Sequence, residues 1–177
     1  MRSNKLILVL AAVVLFGAGI SNAQNKYLGA KKCAMCHDKM AKGNAYAVWE
    51  KSKHAKAFET LKSKEADEIA KKKGLKKSAA ESPECLKCHI PGGGTVAGVV
   101  NTEGVTCEGC HGPASAYLSL HNQKGEEAKA KAKTAGLVLS ADNGKLCEKC
   151  HNSESPTSKG FNFKEMWAKV EHKLASK

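Results

Sequence analysis

The sequence predicts a mainly α-helical domain with little strand. Apolar residues recur at helical spacing over 54–61, and residues 125–135 have the alanine, lysine and glutamate content of a solvated helix. Aromatic residues make up only 5% of the chain, and no long apolar run follows residue 23. A core made of side chains alone would therefore be small. The eight cysteines form four identical pairs, which suggests that attached groups complete the core.

The first 23 residues have the pattern of a secretory signal peptide. Arg2 and Lys5 precede an apolar run at 6–16, and small residues follow at 21–23. An uncleaved membrane anchor is the alternative, but this run is shorter than the roughly 20 residues that a span requires. We therefore predict a signal peptide at 1–23, a mature domain at 24–177, a periplasmic location and no stable membrane insertion.

Each cysteine pair has the spacing CxxC, and a histidine follows it directly. The motifs read CAMCH, CLKCH, CEGCH and CEKCH. Disulfides are common in exported chains and zinc binds paired CxxC motifs, but neither explains a histidine after every pair. CxxCH is the signature of c-type haem attachment, in which two thiols bond to one haem and the histidine faces the iron. The sequence predicts four covalently bound haem c groups, attached at Cys33, Cys36, Cys85, Cys88, Cys107, Cys110, Cys147 and Cys150.

The number of histidines limits how the four irons are coordinated. The chain has seven, and electron-transfer haems commonly take two strong ligands each. At most three haems can therefore be bis-histidine, and the fourth takes another ligand or keeps an open position. The motif histidines are His37, His89, His111 and His151, and the remaining ones are His54, His121 and His172.

The three histidines outside the motifs are the candidate second ligands. His54 lies on the apolar stripe of the helix predicted over 54–61, and His121 and His172 each share a helical face with apolar neighbours. Such histidines are usually ordinary core or surface residues, but four irons short of ligands favour metal binding. Methionine is the other possible ligand. Core packing is the simpler interpretation for Met40 and Met166.

Several stretches resemble one known family. YLGAKKCAMCH at 27–37, KHAKAFETL at 53–61, and GVTCEGCHGP at 104–113 followed by His121 are similar to the cytochrome c-554 family of tetrahaem electron carriers. The similarity is good over 27–61 and 104–121 and looser over 147–172. It implies a mainly helical fold with little strand.

The resemblance also implies three pairs of iron ligands and one open iron. The implied pairs are His37 with His121, His111 with His54, and His151 with His172. The haem on His89 would be five-coordinate, in agreement with the histidine count. Pro156 and Phe161 would remain from the loop that crowds this open haem.

The leading functional hypothesis is a periplasmic electron carrier between a redox protein donor and an acceptor. Outer-sphere transfer needs no catalytic residue. The alternatives are a small-ligand redox enzyme, with nitric oxide or hydroxylamine chemistry at the open haem, and a subunit of a larger haem assembly. Without Arg2 and Lys5 the chain has 27 basic and 17 acidic residues, a net charge of +10. Export makes nucleic acid an unexpected partner, and the charge favours an acidic docking surface on a redox protein.

Overall fold

The computed structural model describes residues 25–39, 43–92, 95–96, 99–100 and 102–172. The predicted signal peptide and Met40 lie outside these residues. The described part is mainly helical, which confirms the predicted fold class. Its helices are α1 (Ala30–His37), α2 (Ala45–Glu50), α3 (Ala57–Thr60), α4 (Lys64–Lys72), α5 (Pro83–His89), α6 (Cys107–His111), α7 (Leu118–His121), α8 (Glu126–Thr134), α9 (Lys145–Glu148) and α10 (Phe163–Trp167).

Strand is confined, in the described residues, to one small hairpin. β1 (Thr95–Val96) pairs antiparallel with β2 (Val99–Val100), in a register that pairs Thr95 with Val100 and Val96 with Val99. None of the helices in the described ranges is both long and apolar enough to cross a membrane.

The helix predicted over 54–61 is shorter than expected. It begins only at Ala57, and His54 lies in the turn between α2 and α3. The His54 carbonyl accepts a hydrogen bond of 2.9 Å from the Val105 amide, a contact between distant segments. This tertiary contact outweighs the local helical pattern.

Small side chains dominate the apolar core. Six of the eleven buried apolar residues in the described part are alanines. They form two separate clusters together with a few larger side chains. One contains Phe58, Leu61, Ala70, Ala79 and Ile90, and the other Ala114, Tyr117, Ala132 and Leu137. Alanine buries little area, so side-chain burial contributes less here than in an ordinary domain of this length.

We predict that the chain without attached haem does not fold cooperatively. When the protein is produced in the cytoplasm, where haem is not attached, thermal unfolding followed by circular dichroism should show a broad, shallow change. The exported holoprotein, as the control, should unfold in a sigmoidal transition. A sigmoidal, native-like transition in the haem-free chain would contradict the prediction.

Candidate haem sites

Short helices present the four motifs. α1, α5 and α6 each end at the motif histidine, while α9 ends at Glu148, before the last cysteine of its motif. In a helix, residues three and four apart lie on the same face. The two thiols and the imidazole of a helical motif therefore point to one side, as attachment to a single flat group requires.

The first and third motifs lie side by side. The Cys33 and Cys107 side chains interact, and this interaction raises the pKa of Cys33 and lowers that of Cys107. None of the eight cysteines forms a disulfide in the structure. The contact joins helices α1 and α6, which are more than 60 residues apart in the chain.

The fourth motif lies beside both the second and the third. Burial raises the pKa of Cys150 to about 12, and the neighbouring Cys88 adds to this by its charge and a hydrogen bond. Burial also raises the pKa of Cys110, with a second contribution from Cys147. In space the motifs therefore follow the order first, third, fourth, second.

Six of the seven histidines meet in three pairs, and each pair joins one motif histidine to one histidine outside the motifs. The planes of the His37 and His121 rings lie within 11° of parallel, and their Nε2 atoms face each other 3.4 Å apart. The distances between ring centres are 5.7 Å for His37 and His121, 5.9 Å for His111 and His172, and 6.0 Å for His54 and His151.

This spacing fits a haem iron held between two imidazoles. A metal ion bound to imidazole lies about 2.0–2.1 Å from the ring nitrogen, so two opposed rings have centres about 6 Å apart. The three observed pairs come close to this separation, although the Nε2 atoms of His37 and His121, at 3.4 Å, lie closer than the roughly 4 Å that two nitrogens on one metal ion would have. In the described residues, no three His, Cys, Asp or Glu side chains converge on one point as a structural zinc site requires.

Backbone carbonyls orient two of the motif histidines. The Nδ1 atom of His111 lies 2.6 Å from the Val138 oxygen, and that of His89 lies 2.6 Å from the Ala57 oxygen. When Nδ1 donates to a carbonyl, the lone pair remains on Nε2 and the ring direction is fixed. Both imidazoles thus present Nε2 as the metal-binding atom.

Burial keeps two of the paired histidines neutral. It lowers the pKa of His54, and the neighbouring His151 lowers it further. Burial also lowers the pKa of His111, with smaller contributions from His172 and His121. A neutral imidazole is the form that binds metal, so the environment favours the required protonation state at neutral pH.

Comparison with known proteins identifies the family. The model of the family described as cytochrome c554 and c-prime matches residues 32–112. Cytochrome c-554 of Nitrosomonas europaea is 31% identical over 169 residues, which cover 86% of this chain and 70% of that protein. The chain belongs to the cytochrome c-554 family. No solved structure matches significantly. As a member of this family, the protein is a c-type cytochrome that binds haem covalently and carries electrons.

The structure differs from the histidine pairing that the resemblance to cytochrome c-554 implied. His37 and His121 meet as expected, but His54 lies against His151 and His172 against His111. For His54, the difference comes from its turn. The His54 carbonyl accepts a hydrogen bond from Val105, next to the third motif, while the His54 side chain extends from the turn toward His151 of the fourth motif.

His89 is left without a histidine partner in the described residues. Its Nδ1 lies 2.6 Å from the Ala57 oxygen and 3.3 Å from the Thr60 hydroxyl. Phe161, which the resemblance implied for the wall of this haem site, stacks on His151 with ring centres 5.1 Å apart.

The core-packing interpretation of Met166 is also wrong. Helix α10 ends at Trp167, and the Met166 side chain is 39% exposed, with its sulfur 3.8 Å from the Lys169 ammonium. Because α10 ends at Trp167, His172 lies in the chain after the helix and not on a helical face, where the sequence had predicted it.

The sequence did not reveal the role of Glu108, the second residue of the third motif. Its side chain is 1% exposed and accepts hydrogen bonds from three backbone amides. Glu148 has the same position in the fourth motif and is exposed. The motif alone therefore gives no signal that separates the two carboxylates.

We predict that Gly104→Ala destabilises the contact between the His54 turn and the third motif. Gly104 has a φ of +77°, and a Cβ there would lie 2.5 Å from the His54 carbonyl oxygen. Gly125 is the matched control, because it has a φ of +100° but nothing within 4 Å of a Cβ. Both substitutions strain the backbone, and only the first also produces a clash.

Gly104→Ala should therefore lower the free energy of unfolding by about 1–3 kcal/mol more than Gly125→Ala. That difference corresponds to a melting temperature lower by about 2–12 °C in a domain of this size. Thermal unfolding of the two holoproteins, followed by circular dichroism, measures it. Equal melting temperatures would show that the backbone contact contributes nothing.

Proposed function

We propose that this cytochrome is a periplasmic tetrahaem electron carrier with three bis-histidine haems and an open sixth position on the haem of His89. The main observation in support is that each histidine outside the motifs lies beside a different motif histidine. Only His89 is left over among the described histidines. The proposed signal peptide at 1–23 agrees with this location, since c-type haem is attached outside the cytoplasm.

Bound haem would supply an iron that gains and loses one electron. The chain supplies the thiols that fix it and the imidazoles that hold it on both faces. Because both imidazoles would stay bound to the iron in its two oxidation states, little structural rearrangement would accompany electron transfer. No side chain has to donate or accept a proton.

The thiol contacts support a relay within the protein. Through the pKa values of their thiols, the first motif interacts with the third, the third with the fourth, and the fourth with the second. Electrons would pass along this series. The first and second motifs are then the two ends, and a partner would dock near one of them.

We propose a lysine-rich turn as the docking surface at the second motif. This turn, KKKGLKK at 71–77, comprises the last two residues of α4 and the chain that follows, and it has five exposed lysines, none of which forms an ion pair with a described carboxylate. Leu75 packs against the core cluster beside Cys85. Burial raises the pKa of Cys85, and the positive charge of Lys73 opposes this, so the turn acts electrostatically on the motif. An acidic redox protein is the partner that fits.

We predict that lysines of this turn accelerate electron exchange with an acidic protein. The variant Lys72→Gln, Lys73→Gln, Lys76→Gln should exchange electrons with flavodoxin, a small acidic carrier, about tenfold more slowly at low salt. In 1 M salt the difference should disappear, because the charges are screened. Stopped-flow absorbance measures the rate.

The matched control removes three lysines from α8. Lys129 and Lys131 there are paired with Glu126 and Glu127, so the local field is already neutralised. Lys129→Gln, Lys131→Gln, Lys133→Gln changes the net charge equally and should stay within threefold of the unchanged protein. Equal slowing by both variants would show that only total charge matters and would contradict a docking site at the turn.

We predict that the holoprotein has four haems, three of them low-spin and one high-spin. The pyridine haemochrome assay counts haems, and EPR of the oxidised protein counts spin states. His172→Ala should convert one low-spin centre to high-spin, since it removes one of the paired imidazoles. Four low-spin centres in the unchanged protein would contradict the open position.

Two further backgrounds show which haem His172 serves. Without the fourth haem, in Cys147→Ala, Cys150→Ala, the His172→Ala change should still remove one low-spin centre. Without the third haem, in Cys107→Ala, Cys110→Ala, it should remove none. The reverse result would restore the pairing implied by the resemblance.

A second candidate function is a small-ligand redox enzyme at the haem of His89. The observation in its favour is that no second imidazole lies beside His89 in the described residues. Nitric oxide added to the reduced holoprotein decides between the two functions. A high-spin signal that does not respond to nitric oxide eliminates the enzyme, and sustained turnover of nitric oxide or hydroxylamine supports it.

A further inference from the structure

Glu108 is a buried carboxylate that backbone amides hold in place. Its Oε1 accepts hydrogen bonds from the Ala114 amide at 2.7 Å and the Leu28 amide at 2.9 Å. Its Oε2 accepts from the Gly29 amide at 2.8 Å and from the Leu28 amide at 2.9 Å. Such amide donors stabilise an ionised carboxylate away from water.

No described basic side chain forms an ion pair with this carboxylate. Its negative charge is therefore not cancelled locally, and neighbouring groups respond to it. Burial raises the pKa of Tyr117 and of Tyr27, and the charge of Glu108 is the second contribution at both tyrosines. In an interior of low dielectric, such a charge acts over several ångströms.

Glu108 lies between the first and third motifs. It directly follows Cys107, whose pKa is lowered by the neighbouring Cys33 of α1. Its other partner, Gly29, is the residue before α1, the helix of the first motif. The carboxylate therefore ties the start of α1 to α6.

The other motifs have no buried carboxylate at this position. The first has Ala34, the second has Leu86, and the fourth has the exposed Glu148. Glu108 thus distinguishes one pair of neighbouring motifs from the rest of the chain.

We propose that the buried charge of Glu108 lowers the reduction potentials of the two haems at the first and third motifs, which makes them the low-potential end of the relay. This inference rests on the proposed tetrahaem function. Each reduction takes one electron from the redox donor, turns ferric iron into ferrous iron and moves no proton. It adds one negative charge close to a fixed buried anion, which disfavours the reduced state.

The test is a potentiometric titration of the holoprotein, with the haems resolved by their EPR signals. Glu108→Gln keeps the side-chain size and removes the charge. Two of the four midpoint potentials should rise, each by about a tenfold change in the reduction equilibrium, which is 59 mV for one electron. Glu148→Gln removes a carboxylate from the same motif position on the surface. It should leave all four equilibria within threefold.

Glu108→Asp separates the charge from the fit of the side chain. It should keep both low potentials even where the shorter side chain lowers the melting temperature. If Glu108→Gln fails to load four haems, Glu108→Asp therefore tests whether the charge lowers the two potentials. Loss of the low potentials in Glu108→Asp would overturn the proposal, as would a fully loaded Glu108→Gln with unchanged midpoints or an equal shift in Glu148→Gln. Failure of the proposed function is separate, because the unchanged protein would then contain fewer than four haems.

Discussion

Three imidazole pairs bring distant parts of the chain together. His37 and His121 are 84 residues apart, yet their Nε2 atoms lie 3.4 Å from each other. The other two pairs join α6 to the chain after α10, and the turn before α3 to the fourth motif. In the proposed coordination an iron would join the two rings of each pair, and by the argument used for disulfides a link that closes a loop of 84 residues would restrict the unfolded chain by about 4–5 kcal/mol. With so many alanines in the core, such links would contribute a large part of the fold's specificity.

What could be predicted from the sequence was local. The four CxxCH motifs, the excess of irons over histidine pairs and the helical class follow from spacing, composition and a residue count, and none of them needs the course of the chain. The motif histidines that lie beside His54 and beside His172 could not be predicted in this way. The pairing depends on where α3 begins and α10 ends, and on a bond from Val105 to the His54 carbonyl. A side chain in a turn has no periodic face, so periodicity does not show its direction.

The burial of the Glu108 charge also could not be predicted from the sequence. A glutamate after the first cysteine occurs in two motifs, and only the fold decides that one is buried under three amides while the other faces solvent. The donors come from Leu28, Gly29 and Ala114, which lie on either side of the motif in the chain. Burial of this carboxylate is therefore a property of the assembled motifs and not of CEGCH itself.

The charges are distributed unequally along the series of motifs. At the first and third motifs a buried anion has no ion pair with a described basic side chain, and near the second the lysine-rich turn has five exposed lysines without an ion pair to a described carboxylate. A negative charge raises the energy of an added electron and a positive charge lowers it, and the buried charge acts more strongly because solvent screens the lysines. With both proposals taken together, an electron moves downhill from the first motif toward the second. An acidic protein at the lysine-rich turn is then the acceptor, and the donor approaches the opposite end, where α8 carries its own compensating glutamates.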